Sequence, residues 1–150
     1  MRIEAASPDD PAVHAMIERH YDYTREHTPH ESGHAVRPDA MREGLRYWLA
    51  REGDEVLGSV ALWRIAADHA EIKTMHVLPE ARGRGVGVAL LRQAEAAARD
   101  GGARRLSLET GRSEGFAASR ALYARAGFVP CDAFGGYAED PFSYCMTKEL

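Results

Sequence analysis

A glycine-rich segment, residues 82–87, connects a predicted strand to a predicted helix. The strand pattern covers residues 71–77, and the helical pattern continues without interruption over residues 88–100. A helix that begins after a tight turn leaves its first backbone N–H groups without acceptors, and the helix dipole adds positive potential there. Glycine also lets an anion approach the main chain without a Cβ in the way. The segment therefore predicts an anion-binding site at a helix N-terminus.

The spacing of the glycines indicates which kind of anion-binding loop this is. The dinucleotide fingerprint requires Gly-x-Gly-x-x-Gly, which neither Gly83 nor Gly85 begins. The P-loop requires a lysine and a serine or threonine after its last glycine, and neither follows Gly87. The segment does fit the pattern Arg/Gln-x-x-Gly-x-Gly, with Arg82, Gly85 and Gly87 at the three fixed positions.

A second segment, residues 118–128, combines a short helical pattern with a residue that can end it. The pattern carries Tyr123, and Gly127 is placed to end the helix in the left-handed conformation. In this order, the two segments resemble the two signature motifs of the GNAT superfamily of acetyl-CoA-dependent N-acetyltransferases. The resemblance extends more weakly over residues 3–150.

Length and composition predict one domain, residues 1–150, large enough to bury a core. The formal net charge is −4, and no basic face is evident beyond residues 82–92, which argues against nucleic acid as a partner. No apolar run reaches the length of about 18 residues that a membrane span needs. The N-terminus also lacks the apolar centre of a signal peptide, so we expect a cytoplasmic protein. A reduced pair is favoured over a disulfide for Cys131 and Cys145, and no metal-ligand spacing is recognisable.

The pattern along the chain predicts a strand, helices, a three-strand meander, a helix, a strand, a helix and two strands. Ser7 is the predicted N-cap of the first helix, with Pro8 at its first position, and a further short helix is predicted over residues 38–43. The major helix is predicted from about residue 84 to residue 100. The predicted strands cover residues 2–5, 47–51, 56–65, 71–77, 104–110, 128–131 and 142–148. This order agrees with the fold that the resemblance implies. That fold is α+β, with a mixed central sheet, a splay between the fourth and fifth strands and about four flanking helices.

The resemblance implies acetyl-CoA as co-substrate, with its pantothenate arm in the splay and its pyrophosphate on the glycine-rich loop. Main-chain groups of Met75 and Val77 would pair with the arm, and the Met75 amide is the candidate oxyanion donor. One departure from the family pattern is Phe116, at a position where many members carry a cofactor-contacting asparagine. The complete set of predicted cofactor-binding residues is Met75, His76, Val77, Arg82, Gly83, Arg84, Gly85, Val86, Gly87, Ser119 and Tyr123.

A base is expected because an alkyl ammonium with a pKa near 10 is almost fully protonated at neutral pH. Glu71 is the first candidate, since several members of the family carry a catalytic glutamate on the same strand. The alternative is that Glu71 is an exposed acid, or one paired with Lys73. His76 and Glu109 are the reserve candidates, the first for its intrinsic pKa and the second for its place at the strand end that faces the splay.

Tyr123 is the candidate general acid, which would return a proton to the departing thiolate or donate a hydrogen bond to it. The alternative is an aromatic side chain that only packs on the helix face. A covalent acetyl-cysteine route is disfavoured because both cysteines lie outside the expected transfer site.

The acceptor is predicted to be a small polar amine or amino acid. The predicted substrate-binding residues are His30, Glu31, Ser32, Glu109 and Tyr137. A solvated surface loop is an equal alternative for the histidine-containing segment, and protein N-termini or lysines remain as other acceptors. Two further functions stay open, a non-catalytic acyl-CoA-binding or sensor domain and a nucleotide-phosphate binder. A homodimer through the exposed C-terminal strand edge is compatible with the resemblance.

Overall fold

Seven strands form one mixed sheet in the part of the chain that the computed structural model describes, residues 1–28 and 44–150. Across the sheet the strands lie in the order β1-β2-β3-β4-β5-β7-β6. The strands are β1 (Arg2–Ala6), β2 (Arg46–Glu52), β3 (Glu55–Ala66), β4 (His69–Val77), β5 (Arg105–Gly111), β6 (Val129–Pro130) and β7 (Ser143–Glu149). The α-helices in the same residues are α1 (Pro11–His27), α2 (Val86–Asp100) and α3 (Ala117–Arg125).

The predicted α+β fold is confirmed, and each predicted strand end lies within two residues of the observed one. The predicted helix over residues 38–43 lies outside the described residues. The predicted start of the first helix was wrong. Asp10 is the N-cap, its side chain accepting a hydrogen bond from the Ala12 amide, and Pro11 is the first helical residue. The carbonyl oxygen of Ser7 instead accepts a hydrogen bond of 3.0 Å from the Asp10 amide, which closes a turn. Both Ser-Pro and Asp-Pro satisfy the capping pattern, so local sequence did not distinguish them.

The predicted splay is confirmed by the pairing of β4 with β5. The two strands are parallel and pair only from His69, opposite Arg105, to Glu71, opposite Ser107. Beyond that point β5 continues to pair with β7, as far as Gly111. The rest of β4 therefore leaves its edge toward β5 without a partner strand, and main-chain donors and acceptors face the gap.

A β-bulge on β4 lies at the beginning of this gap. Thr74 has a positive φ of 47°, which is unfavourable for a β-branched residue. Ala61 of β3 lies opposite Lys73 and Ser59 lies opposite His76, so one residue of β3 faces two residues of β4. A bulge bends its strand and increases the local twist, and here it redirects β4 where the strand leaves β5.

Apolar side chains at helical spacing attach α1 and α2 to the sheet. The buried positions are Val13, Met16 and Ile17 on α1, and Val86, Leu90, Leu91, Ala94, Ala97 and Ala98 on α2. They join one core with the apolar side chains of β2, β3 and β4. The N-terminus of α2 is consequently fixed beside the splay.

The close approach of β3 to β4 at Gly58 gives a test of this packing. A Cβ at Gly58 would lie 2.7 Å from the His76 carbonyl oxygen, which cannot move without disturbing the bulged strand. Gly58→Ala should therefore lower the free energy of unfolding by about 2 kcal/mol, the cost typical of overpacking. Urea denaturation followed by circular dichroism measures this. Gly136→Ala is the control, because a Cβ there meets nothing within 4 Å. Equal stability of the two variants would contradict the packing described here.

Candidate active site

A cleft of about 330 Å³ lies at the splay and extends to the N-terminus of α2. Two predicted residues, Glu71 and Arg84, do not line it, and His30, Glu31 and Ser32 lie outside the described residues. The cleft does bring together Met75, His76, Val77, Arg82, Gly83, Gly85, Val86, Gly87, Glu109, Ser119, Tyr123 and Tyr137.

The glycine-rich loop presents unpaired backbone amides to one end of the cleft. Gly85 is the N-cap of α2 with φ 80°, so the helix begins at residue 86, two residues later than predicted. The first amide that donates a hydrogen bond within the helix is that of Ala89, to the Gly85 carbonyl at 3.1 Å. The amides of Val86, Gly87 and Val88 precede it and have no acceptor within the helix. Nothing lies within 4 Å of the position of a Cβ on Gly85, so the space in front of the loop is open. This arrangement fits the pyrophosphate of a coenzyme A thioester.

Gly87 allows α3 to approach the loop. A Cβ on Gly87 would lie 3.0 Å from a methyl carbon of Leu122. Tyr123, which follows Leu122 in the chain, is 5% exposed and lines the same cleft. Burial raises the pKa of Tyr123, and the nearby carboxyl group of Glu109 raises it further. The phenol consequently stays protonated at neutral pH and can act as a hydrogen-bond donor.

Glu109, on β5, has the electrostatic environment of a base that works near neutral pH. Burial raises the pKa of its carboxyl group to about 7, although a hydrogen bond from the Ser143 hydroxyl at 3.0 Å acts in the opposite direction. A base is most effective when its pKa lies close to the working pH. Glu109 was a reserve candidate in the sequence, where nothing indicated how deeply its carboxyl group is buried.

Glu71, the first candidate from the sequence, does not line the cleft. It is 4% exposed, and its Oε2 accepts a hydrogen bond of 2.5 Å from the Tyr137 hydroxyl. The ammonium of Lys73 lies 3.2 Å from the same oxygen and donates to the Tyr137 hydroxyl at 2.9 Å. The ion pair with Lys73 that the sequence offered as an alternative is therefore present, and Lys73 and Tyr137 stand between Glu71 and the cleft.

His76 lies on β4 against α1 and is 8% exposed. Burial, together with the positive charges of Arg82 and Arg19, lowers its pKa to about 4. Its Nδ1 lies 3.3 Å from Nδ1 of His20, whose pKa burial lowers to about 3. Both rings are therefore neutral at pH 7, and a group with so low a pKa is a poor proton acceptor for an amine.

An aromatic cluster borders the cleft on the side of α1. Its members are Tyr23, His27 and Phe116, with Tyr23 stacked on His27 at 4.0 Å between ring centroids. Phe116 is buried in this cluster, so the departure from the family pattern has a packing role here. The guanidinium of Arg82 lies 5.6 Å from the centre of the Tyr23 ring, which directs it toward α1.

Sequence reasoning missed several residues of the site. Lys73 and Tyr23 carried no motif, and the bulge at Thr74 follows no glycine.

The described residues also bear on disulfide, metal and membrane chemistry. Both Cys131 and Cys145 are free thiols. Within residues 1–28 and 44–150, no group of His, Cys, Asp or Glu side chains is arranged to hold a metal ion. None of the described helices is long and apolar enough to cross a membrane.

Comparison with known proteins identifies the class to which this fold and this cleft belong. Residues 12–128 match the Acetyltransferase (GNAT) family model. The chain therefore belongs to the GNAT family and is an N-acetyltransferase of that type.

Two relatives are similar over nearly the whole chain. It is 37% identical to the uncharacterised N-acetyltransferase YedL of Escherichia coli K12, over 93% of this chain and 89% of that protein. It is also 37% identical to an IAA acetyltransferase of Azospirillum brasilense, over 99% of this chain and 97% of that protein.

Two solved structures share the fold. A Klebsiella pneumoniae protein, provisionally named an acyl-CoA N-acyltransferase, is 29% identical with a TM-score of 0.82, over 99% of this chain and 97% of the other. A GNAT family acetyltransferase from Elizabethkingia anophelis, solved with acetyl-CoA bound, is 20% identical with a TM-score of 0.71, again over 99% and 97% of the two chains.

The buried histidine makes the stability of the protein depend on pH. Because the pKa of His76 is lowered on folding, the unfolded chain binds a proton below about pH 6.5 that the folded chain does not bind until about pH 4. The free energy of unfolding should therefore decrease as the pH is lowered through this window, and His76 should account for about 3 kcal/mol of the decrease. His76→Gln should lose less stability between pH 7 and pH 4 than the wild type in urea denaturation. The exposed His14 supplies the control, and a His76→Gln curve parallel to that of His14→Gln would contradict the assignment.

Proposed function

We propose that this protein transfers the acetyl group of acetyl-CoA to the amine of a small polar acceptor, by direct attack in a ternary complex. One observation carries the proposal. A single cleft connects the unpaired amides at the N-terminus of α2 with two titratable side chains, the partly buried Glu109 and the buried Tyr123. Phosphate binding and proton transfer can then take place in one cleft. The acetyl-CoA found in the Elizabethkingia structure, which shares the fold, supports this choice of co-substrate.

The protein's part in the reaction begins with proton removal from the acceptor. The thioester supplies an activated acetyl group, and the amine must be neutral to attack it. We assign the removal of this proton to Glu109, because it lines the cleft and its pKa of about 7 suits a base that works near neutral pH. Glu71 was the first candidate from its position in the sequence, but its Oε2 already accepts from Tyr137 and pairs with Lys73.

Tyr123 is assigned to the departing thiol. Its raised pKa keeps the hydroxyl protonated, so it can donate a hydrogen bond or a proton to the sulfur. A further role, stabilisation of the oxyanion, is assigned to the Met75 amide, and the main-chain geometry at the bulge supports this assignment. Because β4 carries two residues opposite one residue of β3 at this point, its main-chain groups turn away from regular pairing, beside the gap.

Binding and turnover are measured separately to test the proposal. Isothermal calorimetry should show one-to-one binding of acetyl-CoA and none of ATP, and thiol release should follow the addition of suitable amines. Failure to bind acetyl-CoA by a folded sample would overturn the proposal. Binding without thiol release from any amine would favour the non-catalytic acyl-CoA-binding alternative.

Substitution of Tyr123 tests the assignment of the acid. Tyr123→Phe keeps the ring in its packing against Phe128 but removes the donor. We expect kcat to fall at least about tenfold while the Kd for acetyl-CoA stays unchanged. Tyr21→Phe, on α1 outside the cleft, is the matched control. An unchanged kcat for Tyr123→Phe would leave the ring with a packing role alone.

The pH profile tests the assignment of the base. Glu109 accepts a proton only when ionised, so the kcat/KM of the wild type should fall as the pH drops below about 7. Glu109→Gln should lower kcat/KM about 100-fold and remove this limb of the profile. Glu71→Gln should keep the limb. The reverse result, with the limb lost only in Glu71→Gln, would return the role of base to Glu71.

A further inference from the structure

Lys73 and Glu109 stand at the same level on the two sides of the splay. The last paired residues of β4 and β5 are Glu71 and Ser107, and Lys73 and Glu109 each follow two residues later. Side chains two residues apart on a strand point to the same face. Lys73 therefore shares a face of β4 with Glu71, and Glu109 shares a face of β5 with Ser107. Both line the cleft, and the charge of Lys73 lowers the pKa of Glu109 against the larger effect of burial. An acceptor whose amine reaches Glu109 therefore lies beside Lys73.

The ammonium of Lys73 is held in place and keeps a donor for a ligand. The side chain is 12% exposed, and its contacts within the described residues are with Glu71 Oε2 at 3.2 Å and the Tyr137 hydroxyl at 2.9 Å. An ammonium group has three N–H donors, so these two contacts leave one. The remaining N–H donor of an ammonium that is largely removed from water favours a ligand that offers an acceptor, and a carboxylate is the strongest such acceptor.

The two arginines among the described residues of the cleft wall, Arg82 and Arg125, lie away from Glu109. The guanidinium of Arg82 lies over the ring of Tyr23, on the side of α1. Arg125 is exposed at the last position of α3. Lys73 is thus the described cation that lies directly across the splay from the proposed base.

We infer that the acceptor carries a carboxylate next to its amine, as an α-amino acid does, and that Lys73 binds this carboxylate. The inference rests on the proposed function, since Glu109 must receive the amine of the same molecule. Glu71 and Tyr137 then act as positioning residues, which fix the ammonium of Lys73 toward the cleft. A simple alkyl amine has no group that could accept a hydrogen bond from the remaining donor of Lys73.

Matched acceptors test the inference. Each of the common L-amino acids is compared with its α-amide in the thiol-release assay, at saturating acetyl-CoA. We expect at least one amino acid to be acetylated with a KM about 10- to 100-fold lower than that of its amide, the effect of one hydrogen bond between charged groups. Equal KM values for every acid and its amide, or thiol release with amides and simple amines alone, would overturn the inference.

Substitution of Lys73 assigns the preference to this residue. Lys73→Met should raise the KM for the acid to that for the amide and leave the Kd for acetyl-CoA unchanged, while Lys73→Arg should keep most of the preference. A Lys73→Met variant that binds acetyl-CoA and still prefers the acid would overturn the role of Lys73.

A product-binding assay needs neither turnover nor a variant. N-acetylated amino acids should raise the melting temperature of the wild type more than their N-acetylated amides do, and equal shifts would contradict the inference. The proposed function fails separately, through absent acetyl-CoA binding or absent thiol release from every amine.

Discussion

The early end of the pairing between β4 and β5 is the constraint on which the rest of the site depends. After Glu71 the two strands separate and take different courses. β5 keeps β7 as a neighbour, while β4 bends through a bulge at Thr74 and leads toward the loop before α2. A continuous parallel sheet would leave no space between its strands. The separation opens the cleft and aims the N-terminus of α2 at one end of it.

Burial in this cleft sets the charges of the titratable groups. Removal from water disfavours the charged form, so the same effect raises the pKa of Glu109 and Tyr123 and lowers that of His76. Glu71 and Lys73 form an ion pair beside these groups, with 3.2 Å between Lys73 Nζ and Glu71 Oε2. The cleft consequently contains one neutral acid, one carboxyl group that titrates near neutrality and one fixed cation. That combination suits proton transfer from a charged amine.

The sequence predicted the parts of the site that depend on local chemistry. Gly127 was assigned correctly as the left-handed residue that ends α3, because that conformation favours glycine, and its φ is positive. The fold class and the splay followed from motifs in a fixed order. The environment of Glu109 could not be predicted, because it depends on which strands are neighbours in space. The pairing of Glu71 with Lys73, two residues apart on β4, was one of the alternatives that the sequence left open. The bulge at Thr74 was equally hidden, since surrounding structure imposes that conformation on a residue that does not favour it.

Helix α1 connects the two sides of the cleft. One helix contacts both sides of the splay, through the pair of His20 and His76 on β4 and through the hydrogen bond from Tyr23 to the Gly115 carbonyl beyond β5. A Cβ at Gly115 would lie 2.2 Å from the His27 ring, so that residue must be glycine for the helix to approach. Strand hydrogen bonds cannot hold the two sides at a fixed distance once the strands have separated. The aromatic and histidine contacts of α1 supply that connection, and the buried Phe116 takes part in it through its contact with Tyr23.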